Sequence, residues 1–123
     1  MKKLFFIFYS LSFLIACSYD SEEELYGITL CDTELMSFTG DVWPIIQENC
    51  VSCHGGETPF AGLALEQYSQ IRTSADDASD AGLINRIERY EGEPGFMPKD
   101  LSRLEQCSID KIKAWVEQGA LEN

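Results

Sequence analysis

Two thiols and an imidazole fall within five residues of this chain, Cys50-Val51-Ser52-Cys53-His54, with Gly55 and Gly56 directly behind them. Three chemistries use such a grouping. A dithiol that cycles with its disulfide expects a βαβ setting, and no such alternation of elements is visible. A structural zinc site needs two more Cys or His ligands at suitable spacing. His54 is the single histidine, however, and the remaining cysteines lie far away in the chain. The third chemistry is covalent capture of a porphyrin, for which Cys-x-x-Cys-His is the attachment pattern of a c-type haem. The Cys50 and Cys53 sulfurs add to two vinyl groups, and their short spacer keeps both under one edge of the macrocycle. His54 then reaches the iron as its proximal ligand.

An iron held by His54 needs a distal ligand or an open position. Met1 belongs to a segment expected to be removed, and Met36 lies before the haem-bearing stretch, so Met97 is the candidate. It sits in Gly95-Phe96-Met97-Pro98, with Pro94 and Pro98 restricting the backbone on either side, which lowers the entropy cost of presenting a thioether. The alternative for a lone methionine is core filling. Met/His ligation raises the reduction potential, and filling both axial positions disfavours dioxygen or peroxide chemistry. Arg86 and Arg89 read as solvated helix charges, with contact to the haem carboxylates as the alternative.

The elements that must hold these groups are helical. Thr39-Gly40-Asp41 offers capping chemistry, and Pro44 suits a first turn. Val42, Ile45, Ile46, Cys50 and Cys53 then follow at helical spacing, predicting one amphipathic helix that carries both thiols and ends at Gly55-Gly56. A loop over 57–62 precedes a short helix with Leu65, Tyr68 and Ile71 on one face. Ser74 to Asp80 reads as a polar surface loop, and Ala81 to Arg89 as a third short helix. Two prolines and two glycines keep 91–98 out of helix. Ser102 with Glu105 predicts a capping box for a last helix whose apolar face holds Leu104, Cys107, Ile112, Trp115 and Val116. Gly119 is its stop. Trp43 and Trp115 are expected to pack the first helix against the last.

The N-terminus reads as an export signal. Lys2 and Lys3 precede an apolar stretch, Leu4 to Ala16, that is shorter than the ~20 residues a membrane-spanning helix needs. It ends in Leu14-Ile15-Ala16-Cys17, which resembles a bacterial lipoprotein signal and implies cleavage before Cys17 and lipid on its sulfur and amino group. An ordinary signal peptide with an incidental cysteine is the alternative. Ser18 rather than aspartate follows, which favours the outer membrane, on its periplasmic or surface face. Residues 1–16 are thus expected to be the signal peptide, 17–36 an acidic flexible tether and 37–121 the folded domain. Export also means an oxidising compartment. With Cys17 lipidated and Cys50 and Cys53 on haem, Cys31 and Cys107 remain as an expected disulfide, two free thiols being the alternative. Closing so long a loop is worth about 4–5 kcal/mol in the chain-entropy model.

From Cys17 onward the chain carries seven basic against 21 acidic residues, a side-chain charge of −14. That excludes nucleic acid as a partner and an electrostatic grip on anionic membrane, leaving the lipid as the only membrane contact. A redox partner steered by charge would present a basic face.

The chain resembles the single-haem cytochrome c domains of exported bacterial proteins, particularly lipoprotein forms of Bacteroidetes-type bacteria. The resemblance rests on Val42-Trp43-Pro44-Ile45-Ile46 before Cys50-Val51-Ser52-Cys53-His54-Gly55-Gly56, on Gly62-Leu63-Ala64-Leu65 and Tyr68, and on Met97-Pro98. Ile109, Ile112, Trp115-Val116 and Gly119-Ala120 complete it, with Cys31-Asp32-Thr33 and Cys107 matching the subgroup. It implies an all-α, cytochrome c-like helical domain around one covalently attached haem c. His54 would be proximal and Met97 distal, with electron transfer rather than catalysis as the activity. One departure is Lys99 after Met97-Pro98, in place of a second proline or glycine, a change expected to loosen the distal loop. A haem-based sensor or small peroxidase, and a structural lipoprotein without haem, are the competing readings.

Overall fold

The structure, a computed structural model, describes residues 31–123. The expected signal peptide, Cys17 and most of the expected tether lie outside the described residues. Five α-helices and no strand occur among them: α1 Trp43–Asn49, α2 Val51–His54, α3 Tyr68–Asp76, α4 Leu83–Ile87 and α5 Gln106–Glu117. A π-turn, Phe38–Val42, leads into α1, and a 3-10 turn, Phe60–Gly62, lies between α2 and α3. The all-α expectation holds. No helix among the described residues is long and apolar enough to cross a membrane.

The first helix starts earlier than Thr39 and is broken. Ser37 caps it, its Oγ accepting from the Gly40 N–H at 3.1 Å while the Asp41 carboxylate accepts from the Ser37 N–H at 3.0 Å. The wider π-turn falls just before Pro44, which has no N–H to donate and would crowd the carbonyl four residues back in a regular helix. Cys50, at φ −120°, separates α1 from α2. The expected single thiol-bearing helix is therefore two, and the thiols stand at a kink.

α3 begins with a reciprocal cap between Gln67 and Gln70 and runs to Asp76, so Ser74 and Ala75 are buried helix residues rather than the predicted surface loop. Their small side chains allow that burial. α4 is shorter than predicted and ends at Ile87. α5 starts at Gln106 after Glu105, whose side chain makes no capping bond, so the predicted Ser102–Glu105 box does not form.

The core lies between α5, α1 and the start of α3. Ile109, Ile112 and Trp115 present one face of α5 and are at most 1 % exposed, against Val42 and Ile46 at 0 %. Trp43 and Trp115 meet through a third ring, Phe38, with centroids 6.4 Å and 5.5 Å from it. Tyr68 closes the cluster edge-on to Phe38 at 5.1 Å. Its hydroxyl donates to the Ala120 carbonyl at 2.7 Å, and Trp115 Nε1 donates to the Leu121 carbonyl at 2.9 Å, so buried rings keep their polar atoms partnered.

The packed unit spans Cys31–Asn123, wider than the expected 37–121. Met36 is buried, and its N–H donates to Gln118 at 2.9 Å. The Asn123 side-chain oxygen accepts from the Phe38 N–H at 2.8 Å. These bonds tie residues expected in a tether, and the chain's last residue, onto the domain. Cys31 and Cys107 stand at disulfide distance, S–S 2.09 Å, and close this strap against the start of α5.

Candidate functional site

Cys50, Cys53, His54 and Met97, distant by up to half the domain in sequence, line one crevice of about 1010 Å³. That size is at the upper end of the roughly 300–1,000 Å³ typical of small-molecule and cofactor sites. Its walls come from α2 and the loop behind it, from α3, from α4 and from the Met97 segment. Leu63, Leu65, Leu83 and Ile87 supply the apolar lining.

The two thiols differ. Cys50 is 9 % exposed and Cys53 is exposed. Burial, and then the neighbouring Cys53, pushes the Cys50 thiol up to about 11, because a thiolate there would be desolvated. His54 is fixed at two backbone points. Its carbonyl accepts from the Leu65 N–H at 2.8 Å, and its Nδ1 lies 3.1 Å from the Leu63 carbonyl. A carbonyl can only accept, so Nδ1 carries the proton and Nε2 keeps its lone pair for a metal. Gly55 is needed behind it: a Cβ there would meet the Val51 carbonyl oxygen at 2.7 Å.

On the Met97 side, Met97 is half-buried, and its N–H donates to the Arg86 carbonyl at 3.2 Å. Pro98 beside it is buried and also lines the crevice.

Sequence reasoning missed the face that α3 turns to this crevice. Tyr68, Ile71 and Ala75 pack into the core, whereas Ser69, Gln70, Thr73, Ser74 and Asp77 line the crevice. The signal was present as two helical stripes on opposite sides, one apolar and one of small hydroxyls and amide, and it was obscured by reading 74–80 as loop. The Ser79 N–H, with its hydroxyl, holds the Asp77 carboxyl below its ordinary range. Arg86 and Arg89 also differ from the solvated charges expected: both are half-buried, and Arg86 lines the crevice. They fold back over the Met97 loop, which gives their long side chains a surface to cover.

These residues fit a haem. The crevice is apolar and cofactor-sized, two thiols line it, one buried and one exposed, an imidazole whose Nδ1 is committed to Leu63 follows them, and a thioether shares the cavity. The alternatives fit less well. Among the described residues there is no strand for a βαβ dithiol fold and no group of three or more His, Cys, Asp or Glu able to hold a metal ion.

No curated protein and no solved structure matches the chain. Residues 50–100 match the family model described as Planctomycete cytochrome C. The matched stretch opens at Cys50 and closes just past Met97-Pro98, so it takes in both ends of the crevice. With the all-helical fold, the match supports a cytochrome c-like, haem-binding domain.

Proposed function

We propose that this protein is an exported, lipid-anchored mono-haem c-type cytochrome that carries single electrons between larger redox proteins. The observation that carries the reading is the convergence of Cys50, Cys53, His54 and Met97 on one apolar crevice. When bound, the haem supplies a one-electron iron couple.

The chain's own residues then have separable tasks. Cys50 and Cys53 hold the macrocycle by thioether bonds, which removes dissociation as a route of loss. His54, with its Nδ1 proton committed to Leu63, offers Nε2 to the iron in a single orientation. Met97, which lines the same crevice, would supply its sulfur as the second iron ligand, favouring the reduced form relative to two imidazoles. Leu63, Leu65, Leu83 and Ile87 exclude water, which limits solvent rearrangement when the charge changes. With His54 and Met97 both serving as iron ligands, no site would remain for dioxygen or peroxide, and His54 is the single histidine, so no second imidazole stands ready as acid or base. Those two features favour carriage over a sensor or peroxidase.

Cys17 would anchor the protein to the outer membrane, with the acidic stretch after it as the tether. The side-chain charge of −14 from Cys17 onward supports a partner with a basic docking face. The test is expression with a haem-attachment system, followed by mass measurement and a redox titration. One added haem mass and a reversible one-electron couple are expected. A chain of bare polypeptide mass would leave only the structural-lipoprotein reading.

A further inference from the structure

We infer that Arg86 and Arg89 are positioning residues that latch the Met97 loop to α4, an inference that rests on reading Met97 as the distal ligand. The loop needs such a device because it is a thin wall. Met97, Lys99, Asp100 and Leu101 line the main crevice and also a second, open hollow of about 520 Å³, so this stretch borders two hollows, and Lys99, Asp100 and Leu101 are exposed. A thioether on an unsupported wall would reach iron only part of the time.

The support comes from α4 and the residues just after it. The main-chain carbonyl of Arg86 accepts from the Met97 N–H at 3.2 Å, a bond independent of the Arg86 side chain, whose own part is its contact with Gly95. The Arg89 guanidinium donates to the Pro94 carbonyl with one nitrogen and to the Asp80 carbonyl, at 3.2 Å, with another. It also pairs with the Asp80 carboxylate at 3.5 Å, although Asp80 is almost fully exposed. Arg89 thereby ties the start of the Met97 loop to the turn before α4. Between these ties, both guanidiniums lie against the Cα of Gly95, where any Cβ would collide with them. Gly95 also sits at φ +81°, a conformation costly for residues with a side chain. The pattern Arg86, Arg89, Pro94, Gly95, Met97 is thus one unit: two long cations from a helix, a carbonyl for one to grip, and a bare Cα for both to cover. Arg suits it where Lys does not, since the two acceptors of Arg89 require two nitrogens in a fixed fork.

The test compares haem-loaded wild type with Arg89→Gln, Arg89→Lys, Arg86→Gln and Gly95→Ala. Three readouts are followed: the sulfur-to-iron absorption of the ferric protein, carbon monoxide binding to the reduced protein, and hydrogen exchange at the Met97 amide. Losing a charge-assisted bond at Arg89 should raise both carbon monoxide binding and Met97 amide exchange about tenfold, with Ile112 exchange unchanged. Arg89→Lys should fall between wild type and Arg89→Gln. Gly95→Ala should give the largest loss of sulfur absorption, and if it fails to fold, the arginine variants decide. A uniform rise in exchange at Met97 and Ile112 together, or a lower melting temperature with the sulfur absorption and carbon monoxide behaviour intact, would overturn the latch. Prompt carbon monoxide binding by wild type would instead strike Met97 ligation, and the Met97 amide arm would still decide whether the loop is latched.

Discussion

α3 separates two regions built on opposite rules. On its Tyr68–Ile71–Ala75 side, protein packs against protein: Phe38, Trp115, Ile109 and Ile112 are buried, and the ring hydroxyl and indole nitrogen reach backbone carbonyls. On its Ser69–Thr73–Ser74 side lies the crevice, where Cys50, His54 and Met97 face a volume no side chain of the domain fills. The first region is complete as polypeptide. The second is shaped for a partner of different chemistry, and its walls are tied by hydrogen bonds to backbone carbonyls, from the His54 ring, from the Met97 N–H and from the Arg89 guanidinium. Stability and function are therefore expected to separate by face of one helix.

The sharpest break in that comparison is removal of both thiols. Cys50→Ala with Cys53→Ala should abolish covalent haem, measured by mass, while the chain keeps the core around Trp115. Next in size is a pair of truncations on opposite faces. Ile112→Ala, at 0 % exposure, should cost about 2–5 kcal/mol by denaturant titration and leave the haem spectrum unchanged. Met97→Ala should do the reverse: it opens the distal position to carbon monoxide and lowers the reduction potential, with a stability loss nearer 1 kcal/mol. If Ile112→Ala altered the distal ligand as much as Met97→Ala, the two regions would be one. Replacing Cys31 and Cys107 by serine should cost about 2–5 kcal/mol, the chain-entropy figure being the upper end, and also spare the spectrum, since the strap belongs to the core side.

The smallest effect is a matter of pH. In the haem-free, reduced protein, exposed Cys53 should be alkylated before Cys50, by peptide mapping after brief treatment near neutral pH. The folded state holds the Cys50 proton up to about 11, whereas an unfolded chain releases it near the ordinary 9.0. The unfolded state then binds fewer protons across that window, so the haem-free protein should lose stability as pH rises through it. With a thioether in place of the thiol, that contribution disappears. Equal alkylation of the two cysteines would contradict the burial that separates them.

The chemistry of the site was the most legible part of the sequence, because Cys50, Cys53 and His54 are adjacent and Met97 lies between prolines. Element type was legible from apolar spacing, as in Ile109, Ile112 and Trp115. What escaped were features set by contact across the chain. The break at Cys50 carries no local signal of its own, and Pro44, read as suited to a first turn, gave no sign that the turn before it would widen to a π-turn. Phe38 joins Trp43 to Trp115 only because the π-turn brings it there. The end of α3 read as loop because serine and aspartate, which crowd the stretch from Ser74 onward, favour caps and turns over helix interiors. Arg86 and Arg89 looked like surface charges because nothing in their own segment reveals Gly95 folding beneath them.

The most direct test of the central claim is the absorption spectrum of the reduced, purified protein before and after carbon monoxide. A c-type haem spectrum that carbon monoxide leaves unchanged is predicted, with iron held by His54 and Met97. Absence of a haem spectrum, or an immediate shift on adding the gas, would contradict it.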